Sequence, residues 1–279
     1  MPDQDAPDTW QVWAVRVATA QRPVRENFLS PGDRCGSAAI DFVVFVLVRG
    51  TAPNGEVVVV DTGFSRDAGE RRGRVLDLSA GDAVRAVGRC PEDVRTVVLS
   101  HLHYDHAGNV ADFPDAQVLV QRAELEYTTG PAMRHHRLSH FYEVDDVVGV
   151  VRRLYQGGVT VVDGDCEVRP GLDVKLIAGH TRGTQVTRVH TERGWVVLAC
   201  DGIHYFDNLA ERNPFPAMVD VEQVLDGYQR IESLASSAEH IVPGHDPQLF
   251  ERYERESDEH GRVIAALHRP PVAAGAPTR

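Results

Sequence analysis

The chain has 279 residues, 42 % of them apolar and 25 % charged, with a formal net charge of -12 at pH 7. That is ordinary globular material with length enough for a sizeable core. An acidic chain is a poor match for nucleic-acid phosphates, so no nucleic-acid partner is expected. No apolar run approaches the roughly 20 residues that cross a bilayer, so no membrane partner is expected either. The start, MPDQDAPDTW, lacks the basic and apolar regions of a secretion signal, and a cytoplasmic protein is expected. Four scattered cysteines, Cys35, Cys90, Cys166 and Cys200, form no CxxC pair and read as reduced structural residues.

In chain order, IDFVVFVLV (40–48) and EVVVVD (56–61) read as strands, with Asn54-Gly55 as a turn between them. A polar, Arg-rich segment leads to a short helix, GDAVRAVG, which Gly88 ends. VRTVVLS (94–100) is the next strand, VLV (118–120) another, and QRAELEY a helix. DDVVGVVRRLY (145–155) is predicted to be a helix with Val147, Val148, Val151 and Tyr155 on one face. VTVVDGD, LDVKLIAGH, TQVTRVHT and GWVVLACD read as strands, with a hairpin turn at 192–194. Residues 219–235 predict an amphipathic helix capped by Asp220, with Val221, Val224, Leu225, Tyr228, Ile231 and Leu234 inward. EHIVPGH is a last short strand. One domain is expected over 1–268, with a disordered tail over 269–279. Two strand-rich halves, each followed by helices, suggest two packed sheets with helices outside.

Five apolar runs end in a carboxylate or an imidazole: VVVVD at Asp61, TVVLSH at His101, VKLIAGH at His180, WVVLACD at Asp201 and HIVPGH at His245. Glycines 63, 108, 179, 202 and 244 accompany them, as suits backbone that turns sharply where ligands converge. In HLHYDH, His101 and His103 project to one side of an extended segment, and Asp105 and His106 follow in the turn, aimed at a second point nearby. This suits two adjacent metal ions. Imidazole and carboxylate without thiolate favour zinc, with iron, manganese or cobalt as alternatives. The remaining histidines (135, 136, 140, 190, 240, 260 and 268) read as structural or exposed.

His101-x-His103-x-Asp105-His106, followed by His180, Asp201 and His245, resembles the metallo-β-lactamase superfamily. The resemblance implies an α/β fold, the αββα sandwich of two mixed sheets flanked by helices, with the metals at one edge. It places His101, His103 and His180 on one metal, Asp105, His106 and His245 on the other, and Asp201 between them. Asp61 matches the aspartate beside the site that orients a ligand. Within the superfamily, SHLHYDHAGN, AGHTRGTQ, CDGIHYFDN leading to NPFP, and IVPGHD look most like the N-acyl homoserine lactone lactonases. Those enzymes carry a tyrosine three residues after the bridging aspartate, where this chain has His204 followed by Tyr205; either is a candidate to hydrogen-bond the substrate oxygen. The resemblance implies a lactone or ester substrate opened by a hydroxide between two divalent metals, with Asp105 and Asp201 in the catalytic set and Asp201 as proton carrier. The chain would act as a monomer or homodimer. A glyoxalase II-type thioester hydrolase and an iron-dependent sulfur dioxygenase are the alternatives on the same scaffold. Residues 127–155 are expected to form a substrate wall or lid, or else a packed helical insertion.

Overall fold

The computed structural model describes residues 9–50, 55–256 and 261–272. Asn54 of the expected turn and residues 273–279 of the expected tail lie outside that set. The strands among the described residues are β1 (Gln11–Pro23), β2 (Ser37–Arg49), β3 (Glu56–Val60), β4 (Val94–Val98), β5 (Gln117–Gln121), β6 (Val159–Val162), β7 (Cys166–Arg169), β8 (Leu172–Leu176), β9 (Gln185–Thr191), β10 (Gly194–Cys200), β11 (Ile241–Pro243), β12 (Arg255–Glu256) and β13 (Ile264–Ala266). They build two mixed sheets, in the orders β12-β13-β1-β2-β3-β4-β5-β6 and β11-β10-β9-β8-β7.

Four layers follow from how the side chains alternate. In β2, Phe42, Val44, Val46 and Val48 pack outward beneath helices, whereas Val43, Phe45 and Leu47 face the other sheet. In β3, Val57 and Val59 face outward and Val58 and Val60 inward. In β10, Val196 and Leu198 face the first sheet, while Val197 and Ala199 pack with Tyr228 and Ile231 of the helix Val221–Leu234. Strands covered on both faces must be apolar throughout, which is why IDFVVFVLV and VVVV show no polar alternation. Burying each such side chain contributes about 1.5–3 kcal/mol. The result is an αββα sandwich.

Several elements differ from the sequence reading. The long β1 escapes it, because QVWAVRVATAQRP interleaves Arg16, Thr19 and Gln21 with apolar residues; it is fixed by antiparallel pairing with β2 along its length. β7, β12 and β13 are too short to carry a periodic signal. The helix Val144–Tyr155 forms, but its buried line runs through Val147 and Val150, and Tyr155 is 89 % exposed. Arg153 fixes that rotation by donating to the carbonyls of Phe113 and Pro114, which leaves Tyr155 facing outward. In Val221–Leu234 the Asp220 cap accepts from the Gln223 amide as expected, yet Val221 is exposed, since the stripe against the second sheet begins at Val224.

Strand direction positions the site. β3, β4 and β5 run parallel, with Val60 beside Val98 and Val98 beside Leu119, so Asp61 and the segment 99–106 leave one edge together. In the second sheet β10 and β11 are parallel, with Cys200 beside Pro243, and β8 runs in the same direction because β9 is antiparallel to both. His180, Asp201 and His245 therefore leave the corresponding edge.

Candidate metal centre

The two edges meet. His101, His103, His180 and Asp201 bring one ligand atom each into a single group, as do Asp105, His106 and His245, and a third group joins Asp201, His204 and His245. Every one of these residues except Asp105 is buried. His180 Nε2 lies 3.2 Å from His101 Nε2 and 3.0 Å from His103 Nδ1. Asp201 stands between the groups: Oδ2 is 3.1 Å from His180 Nε2, and Oδ1 is 2.9 Å from His245 Nε2 and 3.1 Å from His106 Nε2. Tetrahedral zinc–nitrogen bonds of about 2.0–2.1 Å would set neighbouring nitrogens about 3.3 Å apart, close to what the three imidazoles show. His106 Nε2 and Asp201 Oδ1 are buried and have no hydrogen-bond partner among the described residues. Lone pairs left bare at the centre of an imidazole–carboxylate set fit divalent metal ions.

At His101, His103 and Asp201 the electrostatics suit ligands. Burial, then the neighbouring imidazoles, hold His101 and His103 well below the ordinary histidine range, which keeps them neutral. Burial opposes the charge of Asp201, but His204, His106, His245 and His180 outweigh it and hold the carboxyl well below the carboxylate range. Burial also resists charging of His106, and Asp201 and Asp61 reverse the balance, raising it well above the ordinary value.

Two strand ends carry backbone strain. Asp61 and Cys200, neither of them glycine, adopt φ of 60° and 45°, conformations that cost about 1–3 kcal/mol and cluster at functional sites. The kink at Asp61 aims its carboxylate along the edge. Oδ1 accepts from the Ser100 amide at 2.7 Å and Oδ2 from the Ser100 hydroxyl at 2.8 Å, and Oδ2 lies 2.7 Å from His106 Nδ1. With Nδ1 occupied, Nε2 of His106 is the nitrogen turned to the cluster. At Cys200 the kink turns Asp201 inward. Gly244 crosses just above it, and a Cβ there would meet the Cys200 carbonyl carbon at 2.7 Å. His245 is held from behind by its Nδ1, 2.8 Å from the Asp41 carbonyl.

Sequence reasoning missed Glu124. Fully buried on the helix Arg122–Thr128, its carboxylate accepts from the Leu102 amide at 3.0 Å, the Thr181 hydroxyl at 2.6 Å and the Gly183 amide at 3.1 Å, and from the Tyr142 hydroxyl at 3.3 Å. It ties the His101–His103 segment to the loop after His180. A Cβ on Gly183 would sit 2.3 Å from the Glu124 amide nitrogen, so only glycine permits that approach. The available signal was an acidic residue on the inner face of a short helix, which one sequence cannot tell from a solvated one.

The two aromatic candidates separate. His204 Nε2 is 3.0 Å from Asp201 Oδ2, and its ring stacks on Phe215 at 3.9 Å. Burial pushes His204 down to about 4 despite Asp201 beside it. Tyr205 instead turns its hydroxyl toward the Ala39 carbonyl, 3.5 Å away, and does not line the cavity beside the cluster. That cavity, about 480 Å³, is bounded on one side by Arg137, His140 and Phe141. The segment 137–142 thus forms a wall, with Phe141 and Tyr142 against His103, while Val144–Tyr155 packs on the outer layer. His140, expected to be structural or exposed, lies on that wall.

A model of the metallo-β-lactamase superfamily matches residues 40–245. An N-acyl homoserine lactonase of Bacillus cereus is 31 % identical over 165 residues, 58 % of this chain and 60 % of that protein, so the chain spans less than two thirds of this relative. A probable metallo-hydrolase of Mycobacterium bovis is 29 % identical over 215 residues, 70 % of this chain and 69 % of the other. The fold is shared with a quorum-quenching N-acyl homoserine lactone lactonase, at a TM-score of 0.71 and 23 % identity over 88 % of this chain and 95 % of that one. It is shared equally with a probable metal-dependent hydrolase from Staphylococcus aureus, at 0.71 and 15 % identity, covering 96 % and 97 %. No helix among the described residues is long and apolar enough to cross a membrane.

Proposed function

From the premise that the chain belongs to the metallo-β-lactamase superfamily, we propose that it is a dinuclear metal-dependent lactonase, opening an N-acyl homoserine lactone or a related lactone or ester. The observation that carries this reading is the single Asp201 carboxylate set between two imidazole groups, beside an open cavity with His204 at its wall. His101, His103 and His180 would hold one ion, Asp105, His106 and His245 the other, and Asp201 both. Two such ions, zinc in this reading, would lower the pKa of a bound water toward about 7 and would polarise the ester carbonyl.

The chain's own groups do the rest. Asp61 fixes the His106 imidazole and Glu124 the backbone that carries His103 and His180, so little need reorganise as charge develops. Asp201 Oδ2, already within 3.0 Å of His204 Nε2, is placed to take the proton released by the attacking water and pass it to the alkoxide of the opened ring. His204, clamped flat on Phe215, presents its ring to the oxygen of the scissile carbonyl, the task first shared with Tyr205; the Tyr205 hydroxyl faces Ala39. Phe215, buried, and Phe141, half-buried, give the cavity apolar wall for an acyl chain. The fold-bearing part is one cytoplasmic domain ending near 268, and signal quenching is the cellular role this chemistry suits.

The test is a panel of lactones, aryl esters and thioesters given to metal-replete protein. Lactone opening should exceed thioester cleavage; thioester turnover without lactone opening would assign the chain to the glyoxalase II branch instead.

A further inference from the structure

The cavity carries a charge opposite to that of the whole chain. The sequence has a net charge of -12, yet four guanidinium groups, Arg22, Arg72, Arg74 and Arg137, line the 480 Å³ space beside the metal centre. The carboxylates on its wall are Glu26, Asp105 and Asp201, and the last two belong to the metal-binding set. Arg72 is already engaged, with Glu143 at 2.9 Å and the His140 carbonyl at 2.7 Å.

The other three are only partly engaged and keep N–H groups unspent. Arg22 lies over the Phe215 ring, 4.7 Å from its centroid; its Nη2 donates to the Glu26 carbonyl at 3.0 Å and meets the Glu26 carboxylate at 3.5 Å. Its Nε is buried with no hydrogen-bond partner among the described residues. Arg74 sits between the rings of Phe42 and Tyr104 and donates to the Tyr104 hydroxyl. Its nearest carboxylate, Asp105, is 4.0 Å away. Arg137 has no hydrogen bond or ion pair among the described residues. Half-buried cations held against aromatic walls with N–H groups unspent are set to meet an anion by charge-assisted hydrogen bonds. The planar fork of arginine matches a carboxylate.

We propose that the preferred substrate carries a carboxylate on its acyl part, remote from the scissile ester, and that Arg22 and Arg74, with Arg137 at the rim, receive it. The inference rests on the lactone and ester reading above and narrows it from neutral acyl chains to anionic ones.

The experiment compares N-adipoyl- with N-hexanoyl-homoserine lactone, equal in acyl length and different in the terminal carboxylate, on the full metal-replete chain. The expected kcat/KM ratio favours the adipoyl compound by about tenfold or more, and it falls as salt rises. Arg22→Gln and Arg137→Gln should each bring the ratio toward one, and Arg22→Lys should retain part of it. A wild-type ratio of one or below overturns the proposal. So does a ratio untouched by these variants, which would mean that the arginines serve the carboxylate formed on ring opening or play a structural part. If neither lactone opens, the lactonase reading fails on its own account, and calorimetry on the same protein still decides this one. Adipamate binding more tightly than hexanamide, and losing that advantage in Arg22→Gln, supports the carboxylate site; equal binding of the two overturns it.

Discussion

The two halves of the metal centre are assembled by different means. The half from the first sheet, His101 to His106, is contiguous in sequence: two imidazoles on an extended segment, then Asp105 and His106 in a helical turn that begins just after His103. Its frame comes from outside, through Asp61 and Glu124. The half from the second sheet, His180, Asp201, His204 and His245, draws on three separate strand ends. Its frame is the backbone itself: the parallel register of β10 and β11, the left-handed Cys200 and the close crossing of Gly244. The first half is a motif held by side chains, and the second is a product of topology. They should therefore break differently.

The largest effect is expected where the halves join. Asp201→Ala should lower lactone turnover by about 10³-fold or more, roughly 4 kcal/mol of transition-state stabilisation, with the circular-dichroism spectrum unchanged. His103→Ala should behave alike, and activity near wild type in either would dissolve the comparison. Next comes the frame of the first half. Glu124→Ala leaves the Leu102 and Gly183 amides and the Thr181 hydroxyl without their acceptor, at a cost of about 1–3 kcal/mol for each buried group so stranded. A denaturant melt should show that loss together with weakened metal retention; an unshifted midpoint would remove Glu124 from the account. Asp61→Asn keeps the shape and removes the charge behind His106, and metal affinity read by competition with a chelator should fall about 10–100-fold.

The smallest effect lies away from both halves and sharpens the contrast. Asp146 is raised to about 7 by burial and by Glu143 and Asp145 beside it, and its Oδ2 has no partner among the described residues. Its folded-state value stands above its unfolded one, so stability present below about pH 4 is lost as pH rises to about 7. Asp146→Asn should consequently stabilise the chain at pH 8 by about 1–2 kcal/mol, with the gain vanishing toward pH 4 and metal content unaltered. Equal stability of the two proteins at pH 8 would contradict that placement.

These differences track what the sequence could convey. HLHYDH announces itself because its ligands are neighbours, and GH180, CD201 and GH245 could be joined to it only because each closes a strand-like run. Strands buried on both faces, such as β2 and β10, are legible as unbroken apolar stretches. β1 was not, since its pairing with β2 rather than its own pattern keeps it extended. The rotation of Val144–Tyr155 depends on Arg153 finding two carbonyls about 40 residues away, a contact no periodicity encodes. Glu124 and the arginine wall were hidden for the same reason: charged residues look alike in sequence whether solvated or buried, and only the fold shows which lost their water. His204 and Tyr205 are adjacent, and the turn after Asp201 alone decides which of them faces the cluster.

The count of tightly held metal per chain tests the assembly of the two halves most directly. Elemental analysis after loading with zinc and removal of the excess should give two ions in the wild-type chain, and fewer in both His103→Ala and His245→Ala. Binding of a single ion, or two ions retained in both variants, would contradict a centre built jointly by the two sheet edges.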